Sequence, residues 1–121
     1  MGVATGRWLA THTPPDALIA ANDVGAIAYF SQRRIFDMIG LASRETLTVL
    51  RQTQVASPER DRQMKELLLE KQADYVAIFP TWFPYLVNDP MLHEVQRFVV
   101  QNSTTLGGEE VIIFEVAKET K

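Results

Sequence analysis

Residues 17–40 read ALIAANDVGAIAYFSQRRIFDMIG, and their order decides the fold. The run Ala17 to Ala21 is apolar without alternation, as in a strand covered on both faces. Asn22-Asp23 ends it, and either residue is a good N-cap for a helix reaching about Ser31, whose first amides otherwise lack partners. Gly25 inside that helix costs about 1 kcal/mol relative to alanine, which points to close packing or to the close approach of another group. Arg34 to Met38 is a second strand, and Gly40 opens the loop beyond it. Strand, capped helix, strand gathers Asn22, Asp23 and Asp37 where the strands end, the edge at which open α/β sheets place their sites.

Working outward, Gly2 to His12 reads as a short helix stopped by Thr13-Pro14-Pro15. Beyond the loop, Ser43 can cap a helix carrying Leu47 and Leu50. Ser57-Pro58-Glu59 is a helix start with cap, first-turn proline and acid at the positive end. That helix runs to Lys71 with Met64, Leu67 and Leu68 on one face. Asp74 to Phe79 is a third buried strand ended by Pro80, Trp82 to Leu86 an aromatic turn, and Asn88-Asp89-Pro90 a further turn. His93 to Thr105 alternates as one long strand, Gly107-Gly108 signals a hairpin, Val111 to Val116 returns, and Lys118 to Lys121 is a polar tail. The order βαβαβ plus hairpin predicts a three-layer α/β/α sandwich. Its core is parallel with right-handed crossovers, and the C-terminal β-hairpin is antiparallel.

Bulk properties fit one α/β domain over residues 1–121, and composition does not decide whether it is a fragment of something larger. The chain is 46% hydrophobic and 22% charged, ordinary for a globular domain. A net charge of −3 with scattered basic residues gives no electrostatic case for nucleic acid. The absence of cysteine excludes disulfides, thiolate zinc sites and a cysteine nucleophile, without fixing the compartment. No apolar run approaches the ~20 residues that span a bilayer, and no signal-peptide pattern is visible.

The candidate chemistry has two sides throughout. Asn22, Asp23 and Asp37 can hold a divalent cation or act as acid and base, or simply cap a helix and turn a loop. Ser31-Gln32-Arg33-Arg34 can grip a phosphate or carboxylate, or be solvated or paired with an aspartate. His12 and His93 lack ligand spacing, Ser31, Ser43, Ser57 and Ser103 lack a nucleophile elbow, and phosphate-loop patterns are absent. Trp82-Phe83-Pro84-Tyr85-Leu86 offers Trp82, Phe83 and Tyr85 as interface or headgroup residues, or as a plug for the core. No catalytic residue, metal ligand or cofactor is assigned.

The stretch WLATHTPPDALIAANDVGAIAYFSQRRIFDMIGLAS (8–43), with QADYVAIFP (72–80), resembles the soluble tail of bacterial polytopic membrane glycosyltransferases. These use polyprenyl-phosphate sugars and include the protein mannosyltransferases and lipid A aminoarabinose transferases. The resemblance covers about Arg7 to Pro80, and the hairpin loosely. A more distant likeness joins Asn22-Asp23-Val24-Gly25 to the WWDYG motif of the oligosaccharyltransferase catalytic subunit. Only Asp23 and Gly25 carry over; Ala21-Asn22 replaces the two tryptophans and Val24 the tyrosine. In the resembled enzymes the catalytic carboxylates lie in the membrane portion. The resemblance therefore implies a non-catalytic extracytoplasmic accessory domain whose partner is the membrane portion of its own parent. Asn22, Asp23, Gly25, Arg33, Arg34 and Asp37 would lie near the acceptor or lipid-linked sugar. The rival readings are a small free-standing α/β enzyme using Asp23 and Asp37, and an assembly module that forms a weak homodimer through its edge strand.

Overall fold

The computed structural model describes residues 2–22, 24–38, 48–51, 53, 57–99 and 110–117. Asp23, Gly40, Ser43, Leu47, the Gly107-Gly108 turn and the 118–121 tail lie outside these residues, so the readings placed on them stay as expectations.

The fold is α/β, with a mixed five-stranded sheet. In chain order the elements are α1 (Gly2–His12), β1 (Leu18–Ala21), α2 (Val24–Ser31), β2 (Arg34–Asp37), α3 (Pro58–Lys71), β3 (Tyr75–Ile78), a single 3-10 turn (Leu86–Asn88), β4 (Leu92–Val99) and β5 (Glu110–Val116). Residues 48–51 are also helical. The sheet runs β2-β1-β3-β5-β4. β1 pairs parallel with β2 and β3, and β5 pairs antiparallel with β3 and β4. The last strand is therefore interior and β4 is the edge.

Side-chain alternation splits the core in two. On one face Ala20, Phe36, Val76, Ile78, Ile112, Phe114 and Val116 pack with Met64 and Leu68 of α3. On the other, Ile19, Ala21, Ala77, Val111 and Ile113 pack with Leu9 of α1 and Ile27 of α2. Each face thus buries a helix stripe, and the continuously apolar central strands follow from that double coverage.

The long strand expected from His93 begins one residue earlier, and its described part ends at Val99. Its expected alternation holds, with Val95, Arg97 and Val99 exposed and Gln96 and Phe98 partly buried, and an irregularity sits at its start. The register shifts between Glu94 and Gln96, leaving Val95 as the extra residue of a bulge. Before the bulge Leu92 lies opposite Val116, and after it Phe98 lies opposite Val111. These partners belong to opposite faces, so the extra residue moves Phe98 from one core to the other.

The start and stop of α3 follow the sequence signals. Ser57 Oγ accepts from the Arg60 N–H at 3.1 Å, Pro58 opens the first turn, and Gln72 closes the helix in the left-handed region at φ 59°.

Candidate functional site

β2 and β3 flank β1 on opposite sides, which makes the carboxyl ends of β1 and β3 the switch point of this sheet. Asn22 sits there and is 2% exposed. Its Oδ1 accepts the backbone N–H of Phe79 at 3.2 Å, tying the end of β1 to the end of β3. That bond fixes the amide orientation, and Nδ2 is buried without a partner among the described residues. Asn22 thus tethers two strands through the atom a helix cap would use. Asp37 is brought to the same edge, buried and in register with Ala21, whose carbonyl accepts the Met38 N–H at 2.8 Å. Asp23 lies outside the described residues, so the Asp23–Asp37 pair is not placed.

The expectation for Gly25 is corrected. A Cβ built there meets nothing within 4 Å, so no close approach explains it. The glycine required by packing is Gly6 of α1, where a Cβ would lie 2.8 Å from Phe30 Cβ, 3.1 Å from Ser31 N and 3.2 Å from Ala26 O. Removing one side chain lets α1 seat directly on α2.

The paired arginines diverge. Arg33 folds inward onto the C-terminal end of α1, where helix carbonyls lack intrahelical donors. Its Nη2 donates to Ala10 O (2.9 Å) and Thr13 O (2.8 Å), Nε to Thr13 Oγ1 (3.0 Å) and Nη1 to Ser31 O (3.1 Å). It is part-buried, and its fork is occupied by carbonyls and the Thr13 hydroxyl rather than by an aspartate among the described residues. Arg34 stays exposed and donates to Asp16 O at 3.3 Å.

The aromatic segment divides between the core and the surface. Phe83 and Leu86 are each 2% exposed and plug the α3-side core, so Phe83 is not an interface residue. Trp82 and Tyr85 are 37% and 52% exposed, and Trp82 tilts against Phe79 with ring centroids 5.9 Å apart.

Asp61 was not singled out by sequence. It shares the buried stripe of α3 with Met64 and Leu68 and is 3% exposed. Its Oδ2 accepts the N–H groups of Tyr85 and Leu86, both at 2.8 Å, and so holds the aromatic segment to the helix. Burial pushes its carboxyl above the ordinary range, against the two backbone hydrogen bonds and the charge of Arg60. Its one sequence signal is an acid at helical spacing from two apolar core positions. Asp74, at the opposite edge, accepts the Leu18 N–H through Oδ2 at 2.8 Å.

The remaining candidates are ordinary. His12 stacks on Trp8 at 4.2 Å with its Nδ1 2.9 Å from Trp8 O, and His93 is exposed on β4. Among the described residues no group of three His, Asp or Glu side chains is placed to hold a metal ion. No described helix is long and apolar enough to cross a membrane.

With this geometry in hand the chain can be placed. Residues 1–114 match the family model of a domain of unknown function, DUF8728, and the chain belongs to that family. No curated protein matches the chain.

Proposed function

We propose that this chain is a non-catalytic, extracytoplasmic accessory domain of an integral-membrane glycosyltransferase that uses a polyprenyl-phosphate sugar. The resemblance of residues 8–43 and 72–80 to the soluble tails of such enzymes carries the reading. The internal use of the polar rim supports it. Arg33, the strongest anion candidate, is committed to the α1 carbonyls, and the Asn22 carbonyl to Phe79. The domain's role is to position an acceptor or a membrane-proximal loop at the β1–β3 edge, while the chemistry runs on the parent's membrane portion.

Two measurements test this. The purified chain, incubated with a polyprenyl-phosphate sugar and candidate acceptors, should transfer no sugar; transfer would overturn the non-catalytic reading. The encoding reading frame should carry a series of hydrophobic segments upstream of Gly2, and their absence would remove the parent enzyme.

A further inference from the structure

Between α3 and the 85–89 turn lies a groove of about 230 Å³ lined by Pro58, Asp61, Arg62, Lys65, Tyr85, Leu86 and Asp89. Asp61 lines it with a carboxylate only half satisfied. Oδ2 takes two backbone N–H groups, while Oδ1 is buried with no hydrogen-bond partner among the described residues. A buried carboxylate oxygen without a donor is costly, because ionised acceptors lose the most on leaving water. The cations nearby are engaged elsewhere. Arg60 donates to Leu50 O, Thr53 O and Thr53 Oγ1. Arg62 pairs with Glu59 and Glu66, and Lys65 pairs with Asp89 at 2.8 Å. The half-exposed ring of Tyr85 is also a lining residue, a π-face suited to a cation.

We propose that this groove binds a primary ammonium group, which donates to Asp61 Oδ1, lies against the Tyr85 ring and displaces Lys65 from Asp89. A two-carboxylate site with one aromatic wall discriminates for a cation that carries N–H donors, and the volume suits a side-chain-sized group such as the end of a lysine. Oδ1 is closed to water in the present arrangement, so the ligand reaches it only by moving lining side chains, of which Tyr85 and Lys65 are the two most exposed named in the proposal. Burial raises the Asp61 carboxyl against its two backbone hydrogen bonds and the charge of Arg60, and an arriving ammonium favours its ionised form. Binding therefore strengthens as pH rises through the Asp61 titration. Among the described residues, the charge of Arg60 acts on this carboxyl, and the charged or titratable groups that share the groove with it are Arg62 and Lys65 from α3 and Tyr85 and Asp89 from the 85–89 turn. This inference is independent of the glycosyltransferase reading.

The test is an NMR titration of the intact chain with n-butylammonium, using tetramethylammonium and sodium chloride at equal ionic strength as controls. Butylammonium should shift the Tyr85 and Leu86 amides saturably, more strongly at higher pH, and should lower the midpoint of the Asp61 titration. Asp61→Asn keeps an acceptor for both N–H groups but no charge, and should weaken binding by about tenfold or more. Lys65→Met should tighten it by removing the competitor. Equal shifts from tetramethylammonium, which has no N–H, would overturn the proposal. So would undiminished binding by Asp61→Asn or weaker binding by Lys65→Met. Should Asp61→Asn fail to fold, the Lys65→Met and tetramethylammonium comparisons decide alone.

Discussion

Arg33 holds Thr13 as Arg60 holds Thr53. In each pair the arginine Nε donates to the threonine Oγ1 and Nη2 donates to the threonine carbonyl. Nη2 also reaches the carbonyl three residues earlier, Ala10 O or Leu50 O. Each threonine hydroxyl in turn donates to the carbonyl four residues back, Leu9 O or Val49 O, at 2.6 Å. Two helical segments are thus finished by the same fork, brought from twenty residues on in one case and from seven in the other. The arginine supplies the donors that the last carbonyls lack. A motif that looks like anion-binding chemistry in sequence works here as helix termination.

Replacing either arginine should destabilise the fold with little change in structure. Arg33→Lys cannot reproduce the fork, because a lysine is a point donor without the planar geometry. Arg33→Lys and Arg60→Lys should each cost about 1–3 kcal/mol, read as a shift in the denaturant midpoint at constant slope. A neutral outcome at both positions would separate the fork from stability.

Gly6 and Gly25 should respond with opposite signs. Gly6→Ala forces a methyl group against Phe30 Cβ and the α2 backbone and should cost about 1–3 kcal/mol. Gly25→Ala enters open space inside a helix and should gain about 0.5–1 kcal/mol. Thermal unfolding of the two variants side by side checks this.

The aromatic segment should divide in the same manner. Phe83→Ala empties a buried core position and should cost about 3–5 kcal/mol. Trp82→Ala, at an exposed position, should stay within about 1 kcal/mol of the parent. Comparable losses at both positions would mean that Trp82 packs more deeply than its exposure indicates.

Asp61 sets a pH dependence of defined sign. Its carboxyl is raised in the folded state, so the folded chain holds this proton more tightly than the unfolded one. The stability associated with it is full below the unfolded carboxyl value and is lost as pH rises through the folded one. Asp89 has the opposite sign. Burial raises it, but the Lys65 hydrogen bond and the Met91 N–H outweigh burial and leave it lowered. Its contribution is present above the unfolded value and is lost as pH falls through the folded one. Unfolding free energies measured across the acid range should show Asp61→Asn gaining on the parent as pH rises, and Asp89→Asn losing on it.

The sheet was largely legible because its signals are local. The apolar run at 17–21 and the apolar stretches within 34–38 and 74–79 mark strands, and Ser57-Pro58 marks a helix start, all within a few residues of sequence. What local patterning could not convey was tertiary. That β5 rather than β4 sits beside β3, that a bulge at Val95 reverses the facing of Phe98, and that Gly6 rather than Gly25 is crowded all depend on partners tens of residues away. The candidate site was read by position more successfully than by role. Asn22 and Asp37 do reach one sheet edge. Arg33 turned out to serve a helix end twenty residues earlier, and Asp61 was hidden by its resemblance to any other helical acid.

The interior position of β5 also bears on how the chain is made. β4 is synthesised before β5, its one partner among the described residues, and β3 lacks one neighbour until the same strand arrives. A nascent polypeptide whose β5 residues are still inside the ribosomal tunnel holds an incomplete sheet with two open ladders. Cooperative folding therefore waits for the emergence of Glu110–Val116, and deleting that strand removes the keystone rather than trimming the margin.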